Sequence, residues 1–171
     1  LWMKENGGVV QTVAFSSYLN TEKHNARNEY MQAIRTRLAS EKGLEWYDRS
    51  ELRNLDADKR AAFMNYYREI VAEADELVAN DPKAPTGVTV ADFVDHIDYM
   101  VNLIGINHVG ISSDFDGGGG VGGWQDASET FNVTLELVKR GYSEEDIQKL
   151  WGENLLRVLD QVQAVSAQWQ S

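Results

Sequence analysis

Cysteine is absent from this chain of 171 residues, which excludes a disulfide framework, a thiolate metal site and a cysteine nucleophile within it. Proline is almost absent too: the two prolines, Pro82 and Pro85, fall in one short segment, so backbone breaks elsewhere must come from glycine and polar turn residues. Positive charge is scarce, with 16 Lys and Arg against 27 Asp and Glu and a net charge of −11. Such a surface repels phosphate backbones and anionic lipid, and no nucleic-acid partner is expected. Long hydrophobic runs are missing. Charges interrupt every apolar stretch well before the roughly 20 residues of a membrane span, and no basic-then-apolar leader is read at the start. The expectation is a soluble chain, with cytoplasmic, periplasmic and secreted placements all left open.

What is present is enough for one domain, or part of one, with a core. Leu1 to Gly8 reads like the last turn of a helix closing on glycine, so the chain is expected to be a fragment. Val9 to Phe15 is a β-branched run that predicts a strand buried on both faces, of the parallel-sheet type. From Thr21 to about Asn80 the pattern is charged and helical, with Tyr30, Ile34 and Leu38 on one face, then Phe63, Met64, Tyr67, Ile70, Val71, Ala74 and Leu77 on another. Asn80 to Gly87 holds both prolines and marks a break.

Thr89 with Asp92 three residues on forms a variant capping box for a helix whose stripe is Val90, Phe93, Val94, Ile97, Val101 and Ile104. Gly105 can end it. His108 to Ile111 predicts a second short buried strand, running into the polar turn Ser112 to Asp116 and a glycine-rich loop from Gly117 to Gly123. Ser128 is predicted to cap a helix through Arg140, and Ser143 with Asp146 opens the last. This is α/β order. Two strands of parallel type need neighbours on their edges. An upstream segment closing a barrel is the simplest source; a partner chain, with a homodimer left open, is the second.

Asp114 follows the second strand directly, where α/β barrels collect catalytic residues. A carboxylate there, partly desolvated and near a dication, suits proton transfer. Asp114 can equally cap the following turn, as Asp commonly does after a strand, and on the residues alone the two readings weigh evenly. Asp116 points to the same side as Asp114 only if extended geometry persists through Phe115. The Asp-x-Asp-x-x-Gly pattern fails as a calcium loop because positions five and twelve would be Gly118 and Gln125. Residues 117–123 likewise lack the Gly-Lys-Ser/Thr ending of a phosphate loop. A mobile loop covering substrate is the better use, with Asp116 and Gly117 as candidate residues. Trp124, just after it, is the candidate wall for a substrate side chain. The other aromatics read as packing residues.

The histidines show no familiar zinc spacing. His24 reads as a surface residue, His96 as an ion-pair or packing residue on the Thr89 helix, and His108 lies at the opposite end of its strand from Asp114.

Asp95-His96-Ile97-Asp98-Tyr99, then the run Gly105 to Gly117, resembles the C-terminal signature of the membrane (renal) dipeptidase family of zinc peptidases. Gly141 to Ile147 followed by Trp151 to Val158 is similar to the family's closing helix, and Gly7 to Val10 resembles its seventh barrel strand. The likeness covers both ends and weakens from about Thr21 to Lys83. It implies that residues 1–171 are the C-terminal part of a single (β/α)8 TIM-type metallohydrolase barrel, with a helical insertion at about 21–83. It implies zinc-dependent dipeptide hydrolysis with two zinc ions, their ligands on upstream strands and none in this chain. Asp114 aligns with the family's last-strand aspartate, which exchanges protons with the attacking water and the leaving amine. By that reading this chain alone is inert. Two other readings stand beside it: another metal-dependent amidohydrolase of deaminase or lactonase type, and a non-catalytic helical interaction module built on the acidic segment from Thr21 to Asn80.

Overall fold

A computed structural model describes residues 1–169. In chain order the elements are α1 (Trp2–Asn6), β1 (Val10–Thr12), α2 (Ser16–Leu19), α3 (Thr21–Glu41), α4 (Arg49–Asn54), α5 (Ala57–Ala79), α6 (Val90–Ile104), β2 (Val109–Ile111), α7 (Phe131–Lys139), α8 (Glu144–Gln148) and α9 (Asn154–Trp169). They form two compact units, one made of residues 1–21 with 87 onward, the other of residues 22–86.

In the first unit β1 and β2 pair in parallel, with Val10 opposite Val109, Gln11 opposite Gly110 and Thr12 opposite Ile111. The pairing continues past the strands, where Ser112 N–H donates to Thr12 O at 2.8 Å. All three residues of β2 are buried, as a strand of parallel type requires. β1 is shorter than the predicted Val9 to Phe15 and less covered: only Thr12 is buried. The reason is in the packing. β2 lies against α6, α9 and the π-helical turn Lys149–Glu153, whereas β1 has β2 as its main neighbour.

α6 forms where the capping box predicted it. The Asp92 carboxylate accepts from Thr89 N–H at 2.9 Å and from Thr89 Oγ1 at 3.0 Å, and Phe93, Val94 and Ile97 are wholly buried on its inner face. Val101, predicted on the same stripe, is only partly buried. α7 starts at Phe131 rather than at Ser128. Asp126 takes the capping position: its carboxylate accepts from Ser128 N–H at 2.8 Å and from the Ser128 hydroxyl at 2.6 Å, so a 3-10 turn, Ala127–Glu129, precedes the helix.

Polar side chains then fasten the helices to the strands. Asn154, 3% exposed, donates its amide to Ile106 O at 2.7 Å and Val109 O at 2.8 Å. Arg157 forks to Gly7 O and Asn107 O, each at 2.9 Å. His108 Nδ1 lies 2.8 Å from Gly8 O, which makes it the protonated nitrogen. These three residues bind the chain around the N-terminal ends of both strands.

The second unit contains α4, α5 and nearly all of α3, the helical excursion that the two apolar faces predicted. Gly43, at φ 69°, ends the first of these, and Asp48 starts the next through a reciprocal box with Glu51. Leu38, Ala39, Ile70 and Ala74 form its core, beside Phe63, whose ring meets Trp46, Tyr47, Tyr66 and Tyr67. Met64 and Leu77, predicted on the inner face, are exposed. Each sits about 100° around the helix from a buried neighbour, Phe63 or Val78.

Replacing the Asn154 amide leaves two carbonyls without their donor. Asn154→Leu is expected to lower the free energy of unfolding by about 1–3 kcal/mol, read from urea denaturation of the protein. An unchanged midpoint would show that these bonds do not fasten α9 to β2.

Candidate active site

The C-terminal ends of β1 and β2 lie side by side, because the strands run in parallel. β2 delivers Ser112, Ser113 and Asp114 there, and β1 delivers Ala14 and Phe15. Asp114 has φ 57° and ψ 43°, and it is the one non-glycine residue with positive φ among the described residues. Left-handed backbone disfavours a side-chain-bearing residue by roughly 1–2 kcal/mol, least for Asp and Asn. Local hydrogen bonds hold it in place. The Asp114 carbonyl accepts N–H bonds from Gly117 at 3.1 Å and Gly119 at 2.8 Å.

The carboxylate itself makes no hydrogen bond to the 3-10 turn Phe115–Gly117 that it precedes. The capping reading of Asp114 therefore finds no bond to support it. Its side chain is exposed, so the desolvation expected for it is not supplied by these residues. Asp116 is exposed as well. The left-handed residue and the turn after it end the extended geometry, so strand alternation does not carry from Asp114 to Asp116.

Backbone hydrogen bonds tie the glycine-rich segment to its neighbours at several points. Gly120 N–H donates to Ala14 O and Gly122 N–H to Val88 O, both at 2.8 Å, while Gly122 O accepts from Val90 N–H at 3.0 Å. Val121 and Trp124 exchange backbone bonds at 3.1 and 2.8 Å, and both are 2% exposed. Trp124 is thus a core residue and not a wall of an open cleft. Its ring packs on Phe93, Phe115 and Trp151, and its Nε1 donates to Thr130 Oγ1 at 3.2 Å. The exposed aromatic at this end is one that sequence reasoning missed: Tyr18, stacked on Phe15 at 5.2 Å. Only the turn after β1 puts it there, and no local pattern marks it.

The other signature residues have structural partners. Asp95 and Asp98 each take a 2.6 Å bond from Arg140 Nη1, and Glu136 accepts from Arg140 Nε at 3.0 Å. Tyr142 OH donates to Asp98 at 2.6 Å. Burial alone would lower the proton affinity of Arg140, but the bonds to Asp95, Asp98 and Glu136 outweigh it and hold the guanidinium above its ordinary value. Burial, then the bond to Asp98, pushes the Tyr142 phenol up. This cluster ties α6 to the end of α7. His24 lies half-buried in α3, and His96 is half-buried on α6. Among the described residues no group of three or more His, Cys, Asp or Glu is placed to hold a metal ion, and no helix is long and apolar enough to cross a membrane.

The sequence profile of the membrane dipeptidase family, Peptidase family M19, matches residues 2–171. Dipeptidase tcpJ of Claviceps purpurea is 42% identical over 86 residues, 50% of this chain and 20% of that protein. Dipeptidase ataJ of Aspergillus terreus is 39% identical over 107 residues, 62% of this chain and 24% of that protein. The crystal structure of the probable dipeptidase PvdM from Pseudomonas aeruginosa superposes with a TM-score of 0.53 at 38% identity, covering 90% of this chain and 37% of that one. The chain thus spans about a fifth to a quarter of these curated relatives.

Burial holds the His96 imidazole below the ordinary value of 6.5. The unfolded chain therefore takes up this proton at a higher pH than the folded one. The stability carried by neutral His96 is complete above about pH 6.5 and is lost as pH falls through that value toward the folded one. Denaturation midpoints measured between pH 8 and pH 5 are expected to fall less steeply for His96→Gln than for the parent. Equal slopes would remove His96 from that dependence.

Proposed function

Because the chain belongs to the membrane dipeptidase family, Peptidase family M19, we propose that it is the closing portion of a (β/α)8 barrel that hydrolyses dipeptides, with Asp114 as its acid/base residue. The observation that carries the reading is the state of Asp114. It stands at the C-terminal end of a buried parallel strand, in left-handed backbone, with its carboxylate making no bond to the turn it precedes. An acid/base group needs a lone pair free for its substrate.

Three further features support a larger barrel. Among the described residues the parallel sheet has two strands. The likeness to the Pseudomonas structure extends over 90% of this chain but 37% of that one. α9 exposes Leu155, Leu156, Leu159, Val162 and Val165, apolar area that a neighbouring element would cover. The family match runs through residues 22–86, which favours an excursion of the same catalytic domain over a separate interaction module.

In the proposed reaction an Asp114 carboxylate oxygen accepts a proton from the attacking water and returns one to the leaving amine. Asp116 and Gly117, in the 3-10 turn directly after Asp114, are the residues proposed to border the substrate. Zinc is the metal we propose for the complete enzyme, two ions, to polarise the scissile carbonyl and acidify water. Among the described residues no cluster forms a site for it.

The test is Asp114→Asn in the full-length protein, with dipeptide turnover and bound zinc both measured. Turnover is expected to fall by roughly 10²- to 10⁴-fold with zinc content unchanged. Full turnover in the variant removes the assignment. Loss of zinc makes Asp114 a ligand and favours an amidohydrolase of deaminase or lactonase type.

A further inference from the structure

Gly117 lies under the Asp114 carboxylate. A Cβ at position 117 would meet Asp114 Oδ2 at 2.6 Å and Cγ at 2.7 Å, with Oδ1 closer still. All three of the heavy atoms nearest that point belong to the Asp114 carboxylate. The backbone at Gly117 is not in the left-handed region, so alanine meets no conformational penalty of that kind there. The carboxylate stands where the first atom of a side chain would have to go.

Gly119, two residues on, is different in kind. A Cβ there would run into the Ser113 carbonyl oxygen and come within 2.8 Å of the Asp114 carbonyl oxygen. Those are backbone atoms, fixed by the β2 pairing and by the bond from Gly119 N–H to Asp114 O. A side chain at 119 must break the loop. A side chain at 117 need only turn a carboxylate about its χ angles, since that is the free end of a flexible side chain.

We infer that Gly117 is a positioning residue for Asp114: the absence of a side chain at 117 is what lets the carboxylate lie along the turn, and it sets where the proton-transferring oxygen stands. The inference rests on the catalytic reading of Asp114 above. Gly117 touches no reacting atom and acts through Asp114. The left-handed backbone at 114 and the missing Cβ at 117 are two halves of one arrangement. The first aims the side chain back over the turn, and the second leaves room for it. A displacement of about 1 Å in a proton-transferring group is enough to lower turnover by about 10²-fold.

The experiment uses the full-length protein and four forms: parent, Gly117→Ala, Asp114→Asn, and the double variant Asp114→Asn/Gly117→Ala. For each, kcat and KM on a dipeptide and the urea midpoint are measured. Gly117→Ala is expected to keep its midpoint and its KM while kcat falls by about 10²-fold. The double variant is expected to be no slower than Asp114→Asn alone, because the effect of position 117 passes through a carboxylate that is already gone. Parental kcat in Gly117→Ala, with Asp114→Asn impaired, overturns the inference and leaves the catalytic reading standing. So does a loss in the double variant that multiplies the two single losses. Full turnover in Asp114→Asn removes the catalytic reading and the inference with it. Should Gly117→Ala unfold, Asp114→Gly/Gly117→Ala decides: glycine suits the backbone at 114 and lacks the carboxylate. Recovery of the fold then supports the inference, and failure to recover overturns it.

Discussion

Parallel pairing between β1 and β2 joins residues close to a hundred positions apart in the chain, as in the bond from Thr12 Oγ1 to Gly110 O across 98 residues. Bringing such distant segments together costs loop-closure entropy that three residues of ladder per strand cannot offset. The compensation is burial on β2, where Val109 and Ile111 join the core of Phe93, Val94, Ile97, Leu137 and Leu150. Asn154, Arg157 and His108 add hydrogen bonds at the other end of the strands. Everything at the candidate site follows from that pairing. It sets the end of β2 beside the end of β1, so that Gly120 can reach Ala14 and the loop can close.

The loop after β2 shows how a glycine-rich stretch can be tied into a fold. Its amides bond to Asp114 O, Ala14 O and Val88 O, and Val121 and Trp124 anchor it in the core. Glycine serves close approach here. Side chains at 117 and 119 would collide with the Asp114 carboxylate and the Ser113 carbonyl. The same positions in a solvated, unpinned loop would accept most residues.

Signature residues in this chain divide by what they touch. Asp95, Asp98, Asn154 and Arg157 are held in bonds within the fold, and their chemistry is taken up by packing. Asp114 differs: its backbone carbonyl is bonded twice while its carboxylate makes no bond to the turn. A motif read as one functional block is thus two populations. One builds the scaffold and one is presented by it.

The amino-acid sequence by itself determined the local elements: the helix capped by Thr89 and Asp92, the two strand segments, the break at Pro82 and Pro85, the C′ glycine at Gly7, and Asp114 at the end of a strand. Each depends on contacts within a few residues, which periodicity and capping chemistry record directly. Tertiary structure alone decided that Trp124 is buried, that the loop is pinned, that Asp126 and not Ser128 caps the turn before α7, that Tyr18 is exposed beside Phe15, and that the space at Gly117 belongs to Asp114. Those outcomes depend on competition among groups far apart in the chain. A sequence pattern states what a residue can do, while burial and the supply of hydrogen-bond partners settle which of those things it does.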